Sequence, residues 1–365
     1  MAETLLMKGN EALARAAILA GCDGYFGYPI TPQSELLEYM AQELPRAGGV
    51  MIQAESELAA INMVYGAAGA GGRVMTSSSS PGISLMQEGI SYLACAELPC
   101  LVVNVNRGGP GLGTIQPAQG DYFQATKGGG HGDYRLPVLA PASVQEMADC
   151  AYLAFDLADK YRTPVMILAD GALGQMMEKV TFYDYDAQAA KKPKPWATTG
   201  KPPDRERNII TSLYIQPERM EEINLMLQEK FQRMEAEICS WEEHCTDDAD
   251  YLLIAFGLSA RICRKVVDLA RAQGLAVGLL RPRTLWPFPS APLAKLAERV
   301  RLMLTLEMNA GQMVEDVRLA VSGRTPVSYF GRMGGMIPAP EEVLKHLVGL
   351  IESPESAIPM EAMDQ

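Results

Sequence analysis

Short apolar runs alternate with segments of helical period along most of this chain. Residues 164–168 are continuously apolar and residues 100–105 are apolar apart from Asn104, whereas residues 57–69 carry apolar side chains at every third or fourth position. Strands that are apolar on both faces and separated by helices are typical of a parallel sheet covered on both sides. The pattern predicts an α/β protein with strands at 24–26, 50–52, 73–76, 100–105, 136–139, 164–168, 251–256, 275–280, 301–306 and 327–330, and helices at 3–20, 32–44, 57–69, 83–96, 143–161, 259–273, 291–298 and from 340.

A change in composition divides the alternation into two blocks. Prolines and lysines crowd residues 181–210, which is typical of an extended arm. A run of apolar residues then steps by four and three, which predicts one amphipathic helix packed against a neighbouring domain: Ile223, Leu227, Phe231, Met234, Ile238 and Trp241. We therefore expect a first domain over 1–180, an arm and helix over 181–247, a second domain over 248–352 and a tail over 353–365.

Length and charge limit the possible partners. A chain of 365 residues with 48% hydrophobic residues can form two domains with a substantial core. Its formal charge of −12 argues against nucleic acid and anionic membranes as partners. Charged residues interrupt the first twenty positions, and no apolar run is long enough to span a bilayer, so we expect a cytoplasmic protein.

The cysteines and histidines predict no metal centre on this chain. The seven cysteines are scattered and never spaced C-x-x-C, which is the spacing of local zinc and iron–sulfur sites. The three histidines are equally dispersed. We therefore expect buried thiols rather than ligands.

An acidic pair, Glu55 and Glu57, lies where strand 50–52 gives way to helix 57–69. The carboxyl ends of strands in an open parallel sheet form the edge where ligands bind, so a carboxylate here is a candidate catalytic group. Glu also occurs in the first turn of helices for a structural reason, because it faces the positive end of the helix dipole. The sequence leaves both interpretations of Glu57 open.

Three other loops at the same predicted edge carry polar groups. Thr31, before Pro32, fits a helix N-cap, and a capped helix N-terminus also suits a carboxylate or phosphate. Residues 77–80 are all serine, which forms either a polar turn or a set of ligand contacts. Arg107, followed by glycines, can pair bidentately with a carboxylate or form a structural ion pair. Their shared edge predicts a ligand site.

These motifs resemble the α-type subunit of 2-oxoacid:ferredoxin oxidoreductases. The resemblance is carried by Gly27-Tyr28-Pro29-Ile30-Thr31-Pro32, Glu55-Ser56-Glu57, Ser77 to Gly82, Arg107-Gly108-Gly109-Pro110, Gln119-Gly120-Asp121, Arg281-Pro282 and Glu307-Met308-Asn309-Ala310-Gly311-Gln312. In detail the chain is most similar to the branched-chain (3-methyl-2-oxobutanoate) enzymes, with 2-oxoglutarate enzymes next. The implied fold is a pyrimidine-type thiamine-diphosphate-binding domain with a doubly wound parallel sheet, followed by a smaller transketolase C-terminal-like α/β domain.

The resemblance also implies roles for particular residues. Glu57 matches the acid that meets N1′ of the aminopyrimidine ring of thiamine diphosphate, with Glu55 in reserve. Thr31 and Arg107 match the residues that meet the 2-oxoacid carboxylate. The remaining cofactor contacts are assigned to Pro29, Ile30, Ser79 and Ser80.

The chain lacks the Gly-Asp-Gly motif that carries metal and diphosphate in thiamine enzymes, and it lacks cluster cysteines. The resemblance therefore implies half of an active site. A β-type subunit would supply Mg²⁺ and the diphosphate side, and [4Fe–4S] clusters would lie on partner chains among the β-type, γ-type and ferredoxin-like δ subunits. Coenzyme A would take the acyl group and external ferredoxin the electrons.

The expected reaction is oxidative decarboxylation of a branched-chain 2-oxoacid in anaerobic metabolism. Three alternatives remain: a 2-oxoglutarate enzyme subunit, a non-catalytic assembly subunit and a self-contained transketolase-like enzyme. The missing diphosphate motif argues against the last.

Overall fold

A computed structural model describes residues 3–353. Apart from Ser353, the predicted tail over 353–365 therefore lies outside the described residues. In chain order the strands are β1 (Glu3–Lys8), β2 (Gly24–Gly27), β3 (Val50–Gln53), β4 (Val74–Ser78), β5 (Cys100–Asn106), β6 (Val138–Leu139), β7 (Pro164–Asp170), β8 (Met177–Phe182), β9 (Trp241–His244), β10 (Tyr251–Ile254), β11 (Val277–Pro282), β12 (Thr284–Trp286), β13 (Leu302–Glu307) and β14 (Val327–Gly331).

The helices alternate with these strands. They are α1 (Gly9–Leu19), α2 (Ser34–Glu43), α3 (Glu57–Gly69), α4 (Ser80–Cys95), α5 (Tyr122–Thr126), α6 (Val144–Tyr161), α7 (Gly171–Gln175), α8 (Ala187–Ala190), α9 (Pro217–Ile238), α10 (Gly257–Arg271), α11 (Ser290–Leu296), α12 (Met313–Val321) and α13 (Pro340–Glu352).

The larger of the two main sheets has seven strands in the order β12-β6-β7-β5-β4-β2-β3. All neighbours are parallel except β12, which pairs antiparallel with β6. Helix α1 packs on α6, and α3 packs on α4. Strands β5 and β7 are buried along their whole length. A parallel sheet covered by helices is thus confirmed, and apolar burial between sheet and helices stabilises it.

The second sheet has the order β14-β13-β10-β11-β9 and is parallel except for β9. Helices α10 and α13 pack on each other beside it. Its own apolar core includes Leu253, Val266, Leu304 and Leu347, all fully buried. A smaller α/β domain is therefore also confirmed.

The amphipathic helix is α9, and its predicted apolar face is buried. Ile223, Leu227, Phe231 and Met234 all join the main core. Trp241, which the helical period included, lies beyond the helix in β9 and is exposed.

Two sequence expectations about the start of the chain and the sheet edge are wrong. Residues 3–8 are not helical, because they pair antiparallel with β8, whose residues follow their partners by 169 to 179 positions. Strand β3 is not buried, because it is the last strand of its sheet and pairs only with β2; Val50 and Ile52 are exposed.

Candidate active site

Four neighbouring strands end at the site, in the order β5-β4-β2-β3. Arg107 follows β5, Ser79 and Ser80 follow β4, Thr31 lies in the loop after β2, and Glu57 begins the helix after β3. Because parallel strands end at one edge of a sheet, these residues are brought to the same side of the molecule. The structure therefore places all four polar loops together.

Glu57 is buried, with 5% of its surface exposed. It is the first residue of α3, and Ser56 caps that helix by accepting a hydrogen bond from the Ala59 N–H at 3.1 Å. Ser56 therefore supplies the N-cap of the helix, and the Glu57 carboxylate is not needed for capping. Glu55, two residues earlier, is exposed.

Gly82 in the first turn of α4 packs directly against Glu57. A Cβ atom at position 82 would lie 2.5 Å from Glu57 Oε1 and would overlap Ser78 Oγ. A side chain cannot be accommodated there without moving the carboxylate. Sequence reasoning placed Gly82 in a motif but gave it no role, because the contact depends on the approach of two helices.

Arg107 and Thr31 are in direct contact. The Arg107 guanidinium donates to the Thr31 carbonyl at 2.9 Å and to the Leu112 carbonyl at 2.8 Å. These two bonds fix the plane of the guanidinium, and no acidic side chain bonds it in the part of the chain that the structure describes. Arg107 Nε is buried without a protein partner among residues 3–353. Among residues 3–353, Arg107 therefore does not form the structural ion pair that the sequence left open.

The expected N-cap at Thr31 is wrong. Helix α2 begins at Ser34, and a turn closed by the Gln33 N–H on the Ile30 carbonyl at 3.1 Å precedes it. Asn10 Nδ2 donates to the Pro32 carbonyl at 2.8 Å and holds this turn in place. Thr31 is consequently exposed at the site rather than tied into the helix.

A buried hydrogen-bonded chain supports the loop that carries Pro29, Ile30 and Thr31. Tyr25 Oη and Ser77 Oγ are 2.7 Å apart, and Ser77 Oγ donates to Gln33 Oε1 at 2.6 Å. Burial raises the pKa of Tyr25, so it stays a neutral hydroxyl. Sequence reasoning missed Tyr25 and Gln33, since neither stands in a polar run.

The serine run has two environments. Ser78 and Ser79 are buried, and within residues 3–353 their hydroxyls have no hydrogen-bond partner. Ser80 Oγ instead accepts the Arg107 N–H at 3.1 Å and lies 3.3 Å from Asn106 Oδ1. Unpartnered hydroxyls at a ligand edge fit a polar ligand, because an unsatisfied buried polar group is otherwise costly. Pro29 is exposed and Ile30 half-buried beside them.

A cleft of about 490 Å³ opens beside this edge, between the two domains. Ser80 and Asp121 lie on its first-domain side, and Asn309 and Met333 on its second-domain side. Burial raises the pKa of Asp121, against hydrogen bonds from Ser80 and Asn104 that lower it. Polar side chains therefore line both sides of the cleft, with Asp121 on the first-domain side and Asn309 on the second-domain side.

Residues 3–353 contain neither a cluster of metal-binding side chains nor a membrane-spanning helix. No three His, Cys, Asp or Glu side chains converge in a way that could hold a metal ion. No helix within that range is both long and apolar enough to cross a membrane.

The fold and this site agree with a known family of enzymes. Residues 15–244 match the family profile described as pyruvate flavodoxin/ferredoxin oxidoreductase, thiamine diphosphate-binding, and residues 249–343 match pyruvate:ferredoxin oxidoreductase core domain II. The chain belongs to the 2-oxoacid:ferredoxin oxidoreductase family, as an α-type subunit.

Among curated relatives, ketoisovalerate oxidoreductase subunit VorB of Methanothermobacter thermautotrophicus is 51% identical over 94% of this chain and 97% of its own. The 2-oxoglutarate synthase subunit KorA of Methanothermobacter marburgensis is 38% identical over 96% of this chain and 100% of its own. The resemblance read from the motifs is thereby confirmed.

Two solved structures bear on the fold. The 2-oxoglutarate:ferredoxin oxidoreductase of Magnetococcus marinus, with 2-oxoglutarate, coenzyme A and succinyl-CoA bound, superimposes with a TM-score of 0.83 at 27% identity; the match covers 95% of this chain and 65% of that one. A split-gene transketolase in an inactive β4 tetramer superimposes with a TM-score of 0.60 at 12% identity. The match covers 95% of this chain and 98% of that one and shows a likeness of fold alone.

Proposed function

We propose that this chain is the pyrimidine-binding subunit of an enzyme that converts a branched-chain 2-oxoacid, 3-methyl-2-oxobutanoate, with coenzyme A and oxidised ferredoxin into acyl-CoA, CO₂ and reduced ferredoxin. The identity of 51% with a ketoisovalerate enzyme subunit, against 38% with 2-oxoglutarate synthase subunits, supports the branched-chain substrate. The buried Glu57 at the ligand edge carries the catalytic part of the proposal.

Glu57 would hold a proton at N1′ of the pyrimidine ring. When bound, thiamine diphosphate supplies a nucleophilic carbon that attacks the keto group and accepts the electron pair left by CO₂. A carboxyl that is kept from water by Gly82 and α3 suits proton exchange with a ring nitrogen. The unpartnered hydroxyls of Ser78 and Ser79 on the same edge support a polar ligand there. We assign Pro29, Ile30, Ser79 and Ser80 to the same cofactor.

Arg107 and Thr31 would bind the substrate carboxylate. Carbonyl oxygens of Thr31 and Leu112 occupy only part of the Arg107 donor set, which contains five N–H groups. The remaining donors form a rigid fork of the kind that pairs with carboxylates. Thr31, whose carbonyl accepts from this guanidinium, is exposed beside it.

Partner subunits would complete the site. Exposed aliphatic side chains surround it, including Ile52, Leu58, Leu112 and Ile115, and such a rim around a polar centre is typical of a surface covered by another protein. We assign the diphosphate side and Mg²⁺ to a β-type subunit and the [4Fe–4S] clusters to partner chains among the β-type, γ-type and ferredoxin-like δ subunits. The seven free cysteines support a reducing, cytoplasmic setting.

Substitution of the carboxyl tests this proposal. In the complex assembled with its partner subunits, Glu57→Gln should lower turnover by about a hundredfold or more, because an amide cannot exchange the proton. Glu55→Gln is the matched control, since Glu55 is exposed two residues away. Steady-state assays with a dye as electron acceptor, and subunit composition by gel filtration, provide the two readouts.

Turnover of Glu57→Gln near the wild-type rate would remove Glu57 from the mechanism. A loss confined to Glu55→Gln would move the role to Glu55. Comparison of 3-methyl-2-oxobutanoate, 2-oxoglutarate and pyruvate as substrates in the same assay tests the acyl preference.

A further inference from the structure

Gln119 joins the two domains through hydrogen bonds of its side-chain amide and of its backbone N–H and carbonyl groups. Its side chain accepts hydrogen bonds from Ser259 Oγ at 2.7 Å and from the Met308 N–H at 3.0 Å, and it donates to the Phe256 carbonyl at 2.9 Å. Its own N–H donates to the Met308 carbonyl at 2.9 Å, and its carbonyl accepts Asn309 Nδ2 at 2.8 Å. Gln119 is 2% exposed, so solvent does not replace these bonds.

The segment just before Gln119 holds the backbone of Arg107. Arg107 and Pro117 form an antiparallel bridge, and the Gly108 N–H donates to the Gln116 carbonyl at 2.9 Å. Residues 107–117 therefore form a closed loop whose two ends lie side by side. The Arg107 guanidinium bonds the Leu112 carbonyl within this same loop at 2.8 Å.

The second domain also packs directly against this loop. A Cβ atom at Gly108 would lie 2.8 Å from the backbone of Gly334 and Gly335, and one at Gly335 would overlap Gln116. Glycine at these positions allows the two backbones to touch. Loop 107–117 is thus fixed at one end by Gln119 and on one side by residues 334–335.

We propose that Gln119 is a positioning residue, which sets the affinity for the 2-oxoacid by holding loop 107–117, and with it Arg107, against the second domain. The inference rests on the proposed role of Arg107 as the carboxylate-binding group. Gln119 acts through Arg107 and does not touch the substrate. The second domain thereby contributes to substrate recognition through a contact buried between the domains.

Kinetics of the assembled complex test the proposal. Gln119→Met keeps the length of the side chain and removes its three hydrogen bonds. We expect KM for 3-methyl-2-oxobutanoate to rise about tenfold, with kcat within about threefold of wild type and bound thiamine diphosphate unchanged. Arg261→Met is the matched control, because Arg261 also crosses between the domains, with bonds to the Ala142 carbonyl and Glu178. Its KM should stay within about twofold of wild type.

A double-mutant cycle with Arg107→Lys separates positioning from general loosening. In the Arg107→Lys background, Gln119→Met should change KM by less than about twofold, since its effect passes through the guanidinium. Additive effects, an unchanged KM in Gln119→Met, or an equal rise in Arg261→Met would each overturn the proposal. A wild-type KM in Arg107→Lys and Arg107→Ala would overturn the carboxylate-binding role itself. Ser259→Ala, which removes one bond to Gln119, should give a smaller rise in KM if Gln119→Met does not assemble.

Discussion

The glycine at position 82 allows a carboxylate to be buried at the start of α3. Because a methyl group there would meet Glu57 Oε1 at 2.5 Å, Gly82→Ala should displace the Glu57 side chain. We expect the assembled enzyme carrying Gly82→Ala to lose at least about tenfold in kcat, since small misplacements of a reacting group are costly. Assays of the purified complex measure the loss.

Gly66 provides the matched control. It lies in the same helix as Glu57, and a methyl group there would meet no atom within 4 Å. Gly66→Ala should keep full activity and raise the free energy of unfolding by about 0.5–1 kcal/mol, because alanine favours the helix. Equal activities of the Gly82 and Gly66 variants would contradict the role given to Gly82.

Asp170, the last residue of β7, makes stability depend on pH. Its carboxylate accepts the N–H groups of Ala172 and Leu173 at 2.9 and 3.1 Å, and burial raises its pKa to about 6. The folded chain therefore holds this proton more tightly than the unfolded chain, whose Asp pKa is about 3.9. The stability it confers is complete below pH about 4 and is lost as pH rises through about 6.

Asp170→Asn tests this dependence, since an amide oxygen can still accept both N–H groups but does not titrate. Between pH about 4 and about 7 the free energy of unfolding of the wild type should fall by on the order of 3 kcal/mol more than that of Asp170→Asn. Urea unfolding across this range measures the difference. Parallel pH profiles for the two proteins would show that Asp170 is not responsible.

At the scale of single residues, the sequence predicts those site residues that lie directly beside a recognisable strand or helix. Glu57 and Arg107 could be found because each directly follows a recognisable strand or begins a helix. The roles of Gly82, Gln33 and Gln119 could not be predicted, because their contacts join segments distant in the chain.

In helix α9, the spacing of apolar residues in the sequence predicts which face of the helix is buried. Phe231 lies on its buried face, with 3% of its surface exposed, and meets the Trp286 ring edge-on at 5.8 Å between centroids. Phe231→Ala should lower the free energy of unfolding by about 3–5 kcal/mol. Leu225 lies on the exposed face of the same helix, and Leu225→Ala should change it by about 0.5 kcal/mol or less. Denaturant titrations of the two variants check the face assignment, and similar losses would contradict it.

Helices with their own periodic pattern were predicted well, and strands that depend on a distant partner were not. The predicted bounds of α3 are those observed. The sequence predicts helix for the residues of β1, because only their pairing with β8 makes them extended. It does not predict β12, because the partner strand β6 precedes it by about 145 residues. The sequence also does not predict helix α12, which follows the glycine-containing loop 308–312.

For the whole molecule, we expect catalysis to require the partner subunits. The chain presents Glu57 and Arg107 at one edge but has no Gly-Asp-Gly motif for the diphosphate. The isolated chain should bind thiamine diphosphate at least about a hundredfold more weakly than the assembled complex, because half of the contacts are missing. Isothermal titration of the chain alone and of the complex measures this ratio. Equal affinity would favour a self-contained enzyme.

We propose that the chain divides near residues 247–248, with the first domain over 1–180, the arm and α9 over 181–247 and the second domain over 248–352. The break between the two family matches, at 244 and 249, supports this division. The polar contacts of Gln119 and the ion pair of Arg281 with Glu146, at 2.7 Å, would then both join the two domains.

Strand β12 sets a limit on how the two domains can be recombined. Thr284–Trp286 belongs to the second domain by sequence, yet it forms the outer strand of the first domain's sheet. A gene cut near codon 248 would leave the backbone of the two-residue β6 unpaired on one side and would uncover its buried side chains, Val138 and Leu139. Chimaeras of related subunits should therefore exchange both domains together, or place their crossover beyond Trp286.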